Sequence, residues 1–252
     1  MYKEDCEKLG QGAKTKLALL KSNPLGYLLA SMLAGLYVGF GICLVFIIQS
    51  LLPDFAGTKV IMGFCFTIAL SLVVIAGAEL FTGNNLVMTL GGLEKTVQWK
   101  DVFKLWLVCW LGNLLGSILC ALLFVGAGFL NGPAADVFAK AALAKTQIPF
   151  SPLLLRGILC NILVCLAVWG SGRVSDGAGK ILIIGLCLAT FFISGYEHSV
   201  ANMTLLSIGL LAKSSFTIGL GPVAYNLLVV TLGNMIGGIF FVAFPYAIIS
   251  RK

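Results

Sequence analysis

Six apolar stretches alternate with short polar connections along the chain, near positions 25–50, 60–91, 102–130, 152–171, 180–211 and 222–249. About 20 apolar residues in helical form cross the ~30 Å hydrocarbon core of a bilayer. The pattern therefore predicts an all-α membrane protein with six transmembrane helices and no room for a separate soluble domain. The second and fifth stretches are each about 32 residues long, too long for one upright helix. Both are interrupted about two thirds of the way along by a polar cluster, Glu79 to Asn85 in the second and Ser194 to Met203 in the fifth. A helix, a short non-helical turn at membrane depth and a second short helix account for each. Such breaks persist only where protein or a water-filled cavity receives the freed backbone groups, so the pattern describes a pore.

An internal repeat supports this reading. Pro24-Leu25 opens the first span and Pro152-Leu153 the fourth; AELFTGNNL (78–86) aligns with YEHSVANMT (196–204), placing Glu79 over Glu197 and Asn84 over Asn202; LGNLLG (111–116) aligns with LGNMIG (232–237). Three spans per half is an odd number, so the second half (131–252) enters the membrane from the side opposite to the first (23–130). Inverted 3+3 repeats of this kind place their functional site near the midplane, where discontinuous helices meet. Glycines four residues apart, Gly35 and Gly39, Gly112 and Gly116, Gly233 and Gly237, predict close helix packing. Ahead of the first span, residues 1–22 form an amphipathic segment. Leu9, Ala13, Leu17 and Leu20 recur at near-helical spacing with Lys14, Lys16 and Lys21 on other faces, as in an interfacial helix that anchors or gates.

Composition and charge add topology. Hydrophobic residues make up 59% of the 252 and charged residues 11%, far from the balance of a soluble domain. The net charge of +7 is spread over connections instead of forming one patch, which argues for a topological signal and against nucleic-acid binding. Lys3, Lys8, Lys14, Lys16, Lys21, Lys95, Lys100, Lys104, Arg173, Lys180, Arg251 and Lys252 all fall on one side of a six-span arrangement. By the positive-inside rule both termini are expected in the cytoplasm, with the spans in the cell's inner, cytoplasmic membrane. No cleavable signal peptide is evident. Seven of the eight cysteines lie within apolar spans without a C-x-x-C pair, and they read as small buried hydrophobes.

The chemistry is concentrated at the breaks. Ionised groups inside a bilayer pair with one another or line a water path. Glu79 and Glu197 are the only acids within the spans and occupy equivalent positions, so they are expected to bond the backbone amides of the broken helices. His198, the single histidine, has Leu80 as its counterpart. At a helix break it is suited to donate a hydrogen bond to an anion or to exchange a proton with it near neutral pH. One histidine cannot supply paired haem ligands, and no metal cluster, nucleophile motif or phosphate loop accompanies it; no cofactor, metal or enzyme activity is expected.

With GAELFTGN (77–84), the stretch from Asn161 to Trp169, SGYEHSVANM (194–203) and TLGNMIGG (231–238), the chain resembles the formate/nitrite transporter family from about residue 20 to 250. The resemblance implies an aquaporin-like fold, a homopentamer with one pore per protomer, and passage of small monovalent anions such as formate, nitrite or hydrosulfide. Matched motif by motif, His198 is the central histidine and Thr82 the threonine of the broken second helix. Asn161 is the asparagine facing that site, and Lys145 is the lysine that attracts anions in the outer vestibule. The family's hydrophobic constrictions fall on Phe66, Leu70 and Leu80 of the second span, Val164 of the fourth and Phe191 of the fifth.

The mechanism implied is transient neutralisation. Desolvating a charge is far costlier than desolvating a neutral molecule, so an anion drawn in by Lys145 crosses the dry constrictions after taking up a proton from or through His198. The turn reads Thr82-Gly83-Asn84-Asn85, where formate-type members tend to carry bulkier or hydroxylated residues after the threonine. The chain looks most like the hydrosulfide channel branch, and a small, spherical anion suits tight constrictions. Two other classes compete. A neutral-solute pore of aquaporin or ammonia type shares the inverted repeat but lacks here its paired NPA turns or twin histidines. A scaffold or receptor needs no polar helix breaks.

Overall fold

The computed structural model describes residues 2–251, and these form twelve α-helices joined by short turns. Helix α1 (Lys3–Ser22) precedes six segments long and apolar enough to cross a membrane. The first is α2 (Pro24–Leu51), with Pro24 in its opening turn and the Asn23 side chain accepting the Gly26 N–H at 2.9 Å, a standard helix start. The second, Thr58–Gly77, combines α3 (Thr58–Cys65), α4 (Ile68–Leu72) and a π-helical turn over Val73–Gly77; α5 (Phe81–Leu93) follows the break. The third is α6 (Trp99–Gly126). The unanticipated α7 (Pro133–Thr146) then leads to the fourth span, α8 (Phe150–Arg173). The fifth is α9 (Gly177–Ser194), capped by Asp176 and followed across its break by α10 (Ser199–Leu211). The sixth comprises α11 (Leu220–Gly238), a π-helical turn (Ile239–Ala243) and α12 (Phe244–Ile249).

The two halves repeat with inverted orientation. Helix α2 packs along α6 as α8 packs along α11, and the spaced glycines allow it. A Cβ on Gly35 or Gly116 would strike the carbonyls of Asn113 or Met32, and one on Gly237 that of Ile158. Each break opens at a glycine in the left-handed region, Gly77 (φ 83°) and Gly195 (φ 75°). This conformation is strained for residues with a Cβ.

The breaks are shorter than the polar clusters suggest. Only residues 78–80 and 195–198 lie outside helix, so Thr82 to Asn85 already form the first turn of α5. A first turn has four N–H groups without helical partners, and the expectation that Glu79 and Glu197 satisfy backbone amides is not met. The asparagines of the repeated LGN motifs do so. Asn113 Oδ1 accepts the Phe81 N–H (2.9 Å) while its Nδ2 donates to the Glu79 and Ser31 carbonyls (2.8 and 2.7 Å). Asn234 repeats the pattern on the Ser199 N–H (2.9 Å) and the Glu197 and Gly157 carbonyls (2.9 and 2.8 Å). The Glu79 and Glu197 N–H groups donate to the Ala30 and Arg156 carbonyls, at 3.1 and 3.2 Å. A side-chain amide thus replaces the missing turn of helix in each half.

Helix α1 takes up nearly all of the 1–22 segment and packs against protein along its length, principally α5 and α2. Cys6, Gly10, Ala13, Leu17 and Leu20 are buried at three- and four-residue spacing. Thr96 donates to the Gly10 carbonyl (2.8 Å), Lys21 pairs with Asp101 (3.2 Å), and Arg173 pairs with Asp5 while lying over the Tyr2 and Trp169 rings. The amino terminus, the α5–α6 turn and the ends of α8 and α12 therefore meet on one face.

Candidate functional site

The two breaks face each other. His198 ends the fifth-span break and caps α10: its Nδ1 accepts the Ala201 N–H at 3.1 Å. A backbone N–H can only donate, so a neutral ring carries its proton on Nε2. That nitrogen lies 2.9 Å from Thr82 Oγ1 and donates to it, which leaves the threonine hydroxyl proton available to another acceptor. Both side chains are buried. The expected proton exchange at His198 meets a constraint here, because a second ring proton on Nδ1 would displace the capping bond. The pair is arranged as a hydrogen-bond donor.

The ring of His198 lines a void of about 10 Å³, room for about one water. Phe66, Leu70, Leu80, Val164 and Phe191 line the same void, so all five expected constriction residues surround one space. Thr82 is fully buried against Nε2 of the ring and is not among the walls of the void. Phe66 and Phe191 also border a vestibule of about 390 Å³ on the side opposite α1, and meet edge to face with ring centroids 5.8 Å apart. Leu70 and Leu80 also border a second vestibule, of about 500 Å³, on the α1 side. Along this line the molecule presents a funnel, a phenylalanine neck, a single-water space whose one imidazole also borders that first funnel, an apolar neck of Leu70 and Leu80, and a second funnel.

Each vestibule holds a lysine paired with the break carboxylate. Lys145, in the last turn of α7, donates to Glu197 Oε1 and Oε2 at 2.7 and 2.8 Å, and Asn202 Nδ2 donates to Oε2 at 2.7 Å. On the α1 side Lys16 donates to Glu79 Oε1 at 2.6 Å, while Tyr27 Oη and Asn84 Nδ2 donate to Oε2 at 3.2 and 2.9 Å. The carboxylates bind lysines and asparagines where backbone amides were expected. An ammonium has three N–H bonds; the carboxylate takes two of Lys145's and one of Lys16's, so each lysine keeps a donor for an anion. Both stay partly exposed, at 23% and 24% of the side chain.

Asn161 does not face the void. Its Nδ2 is turned to the Thr82 and Asn234 carbonyls (3.2 and 2.7 Å) and to Asn85 Oδ1 (3.1 Å), so it braces the peptide that carries Thr82. Residues that sequence reasoning did not single out for the site are Lys16, Tyr27, Asn113 and Asn234. The two asparagines were visible as repeat landmarks. Lys16 carried no signal of its partner, 63 residues away.

Fold and site together define a membrane channel or transporter with a polar centre between two apolar necks. The Formate/nitrite transporter family model matches residues 3–248. The chain is 42% identical over 247 residues to the nitrite transporter NirC of Salmonella typhimurium, covering 98% of this chain and 91% of that protein. It is 32% identical over 218 residues to the formate channel FocA of Escherichia coli, covering 79% and 76%. A solved FNT family ion channel superposes with a TM-score of 0.91 at 41% identity, covering 96% of this chain and 97% of that one. A pentameric formate channel with formate bound superposes at 0.81 with 28% identity, covering 92% and 99%. The chain belongs to the formate/nitrite transporter family, which consists of transporters and channels and not of enzymes.

Proposed function

We propose that this chain is a channel for small monovalent anions, hydrosulfide foremost and also nitrite and formate, in a homopentamer with one pore per protomer, and that both termini lie in the cytoplasm. The observation that carries the reading is the single-water void at His198, closed by apolar necks and flanked by a lysine on each side. The names of the relatives, a nitrite transporter and a formate channel, support the anion class. The size of the void supports placing a diatomic anion first, since formate and nitrite need the necks to part further.

The residues divide the work. Lys145 or Lys16 collects the anion at a vestibule, where water still solvates it. The anion takes up a proton there and enters the neck as a neutral acid, because a bare charge between Phe66 and Phe191 would lose its hydration without replacement. At the centre, the polar group that faces the passing acid is the His198 ring, whose Nε2–H is donated to Thr82; an acid that takes over that bond meets one donor, which replaces one lost water contact. The proton leaves with the far vestibule's water, so proton and anion move together and no net charge crosses. His198 orients and donates, and the proton it holds on Nε2 stays with the protein.

The test is uptake into proteoliposomes of hydrosulfide, nitrite, formate and chloride with a valinomycin-clamped membrane potential. Hydrosulfide flux above nitrite and formate, chloride excluded, and rates that follow the pH gradient but not the potential are expected. Flux that follows the potential alone would refute the neutral passage, and permeation of neutral solutes without anions would refute the anion class.

A further inference from the structure

We infer that Asn226, in the second turn of α11, is a positioning residue that aims Lys145 into its vestibule and so sets anion affinity on that side; this rests on the anion reading above. Lys145 sits one residue from the end of α7, where its carbonyl is among the last four without a helical donor. The residue four positions on, which would donate if the helix continued, is Pro149, which has no N–H. Asn226, fully buried, supplies the donor: its Nδ2 lies 2.9 Å from the Lys145 carbonyl. Its Oδ1 accepts from Asn202 Nδ2 at 2.9 Å. Asn202 donates in turn to Glu197 Oε2, and Glu197 accepts from Lys145 Nζ.

The four residues therefore close a ring that begins at the main chain of Lys145 and ends at its ammonium. Both ends of that side chain are held, so the remaining N–H is directed by geometry and not by a rotamer average. Aligned on Asn113 and Asn234, position 226 corresponds to Leu105 in the first half, which offers no such bond. Lys16 is held only through its ammonium and the seating of α1. The two vestibules are thus unlike: one lysine is fixed to the spanning bundle, and the other is carried by a surface helix.

Asn226→Leu keeps volume and removes both bonds. In proteoliposomes, nitrite uptake should show an apparent KM raised about five- to tenfold, with the maximal rate near that of wild type. In a Lys145→Met background the same substitution should change KM by less than twofold. Asn226→Ser, which is small enough to be accommodated without crowding but too short to reach the Lys145 carbonyl, should reproduce the defect if the leucine variant does not assemble. Equal effects with and without Lys145, or a fall in maximal rate at constant KM, would overturn the inference and make Asn226 merely structural. Wild-type vesicles that take up no anion would overturn the proposed function instead.

Discussion

Replacing Asn113 by leucine should loosen the second-span break more than any other single buried hydrogen-bond loss in that half. The side chain holds the Phe81 N–H, the Glu79 carbonyl and the Ser31 carbonyl at 2.7–2.9 Å, and it is fully buried. The consequences differ by group. Ser31 sits inside α2 and Glu79 still receives the Cys109 thiol at 3.2 Å, so each loses one bond of two, about 0.5–1.5 kcal/mol apiece. The Phe81 N–H opens α5 with no other acceptor, and a buried orphan of this kind costs about 1–3 kcal/mol. Hydrogen bonds measured within membranes fall toward the low end of such ranges, which places the whole effect at about 2–4 kcal/mol. Unfolding in mixed detergent micelles, followed by far-UV circular dichroism, measures it. Asn234→Leu removes the equivalent three bonds and should cost the same. A loss below about 0.5 kcal/mol, the size of an ordinary surface substitution, would refute the tethering role of the asparagines.

Other substitutions probe the centre and the packing. Thr82→Val keeps the shape but removes the partner of His198 Nε2, so anion flux should fall about tenfold while Thr82→Ser retains it; equal flux in both variants would contradict a role for the hydroxyl. Gly116→Ala places a methyl on the Met32 carbonyl and should destabilise the α2–α6 pair by about 1–3 kcal/mol or more, whereas Gly126→Ala meets open space and should be silent in thermal unfolding. Gly77→Ala and Gly195→Ala force a Cβ into left-handed backbone and should each cost about 1–2 kcal/mol; a stabilising alanine at either would show that the break relaxes.

What the sequence discloses follows from where polarity is expensive. Six spans and two breaks are legible because Glu79, Asn84, Glu197, His198 and Asn202 interrupt apolar runs in which such residues are rare. The inversion is legible because landmarks recur across an odd number of spans. The extent of each break is less so, since Thr82 to Asn85 satisfy helical geometry as readily as a turn once Asn113 supplies the missing acceptor. Helix α7 escaped notice because its alanine-rich stretch reads as a connection between spans. The partners of the break carboxylates were hidden for a different reason: Lys16 and Lys145 reach them from outside the spanning repeat, over 63 and 52 residues. Phe66, Leu70, Leu80, Val164 and Phe191 are indistinguishable by composition from lipid-facing residues, and only family resemblance singled them out.

The central claim is that an anion crosses as its neutral acid through a dry neck, with His198 donating a hydrogen bond and not a proton. Simultaneous recording of hydrosulfide uptake and internal pH in proteoliposomes, for wild type and His198→Asn, tests it most directly. Asparagine retains a donor and an acceptor without a proton to exchange near neutral pH. One proton accompanying each anion in both proteins, with the variant slower but unchanged in its pH dependence, is the result predicted. Loss of proton coupling in His198→Asn would contradict the account and return the proton relay to the histidine.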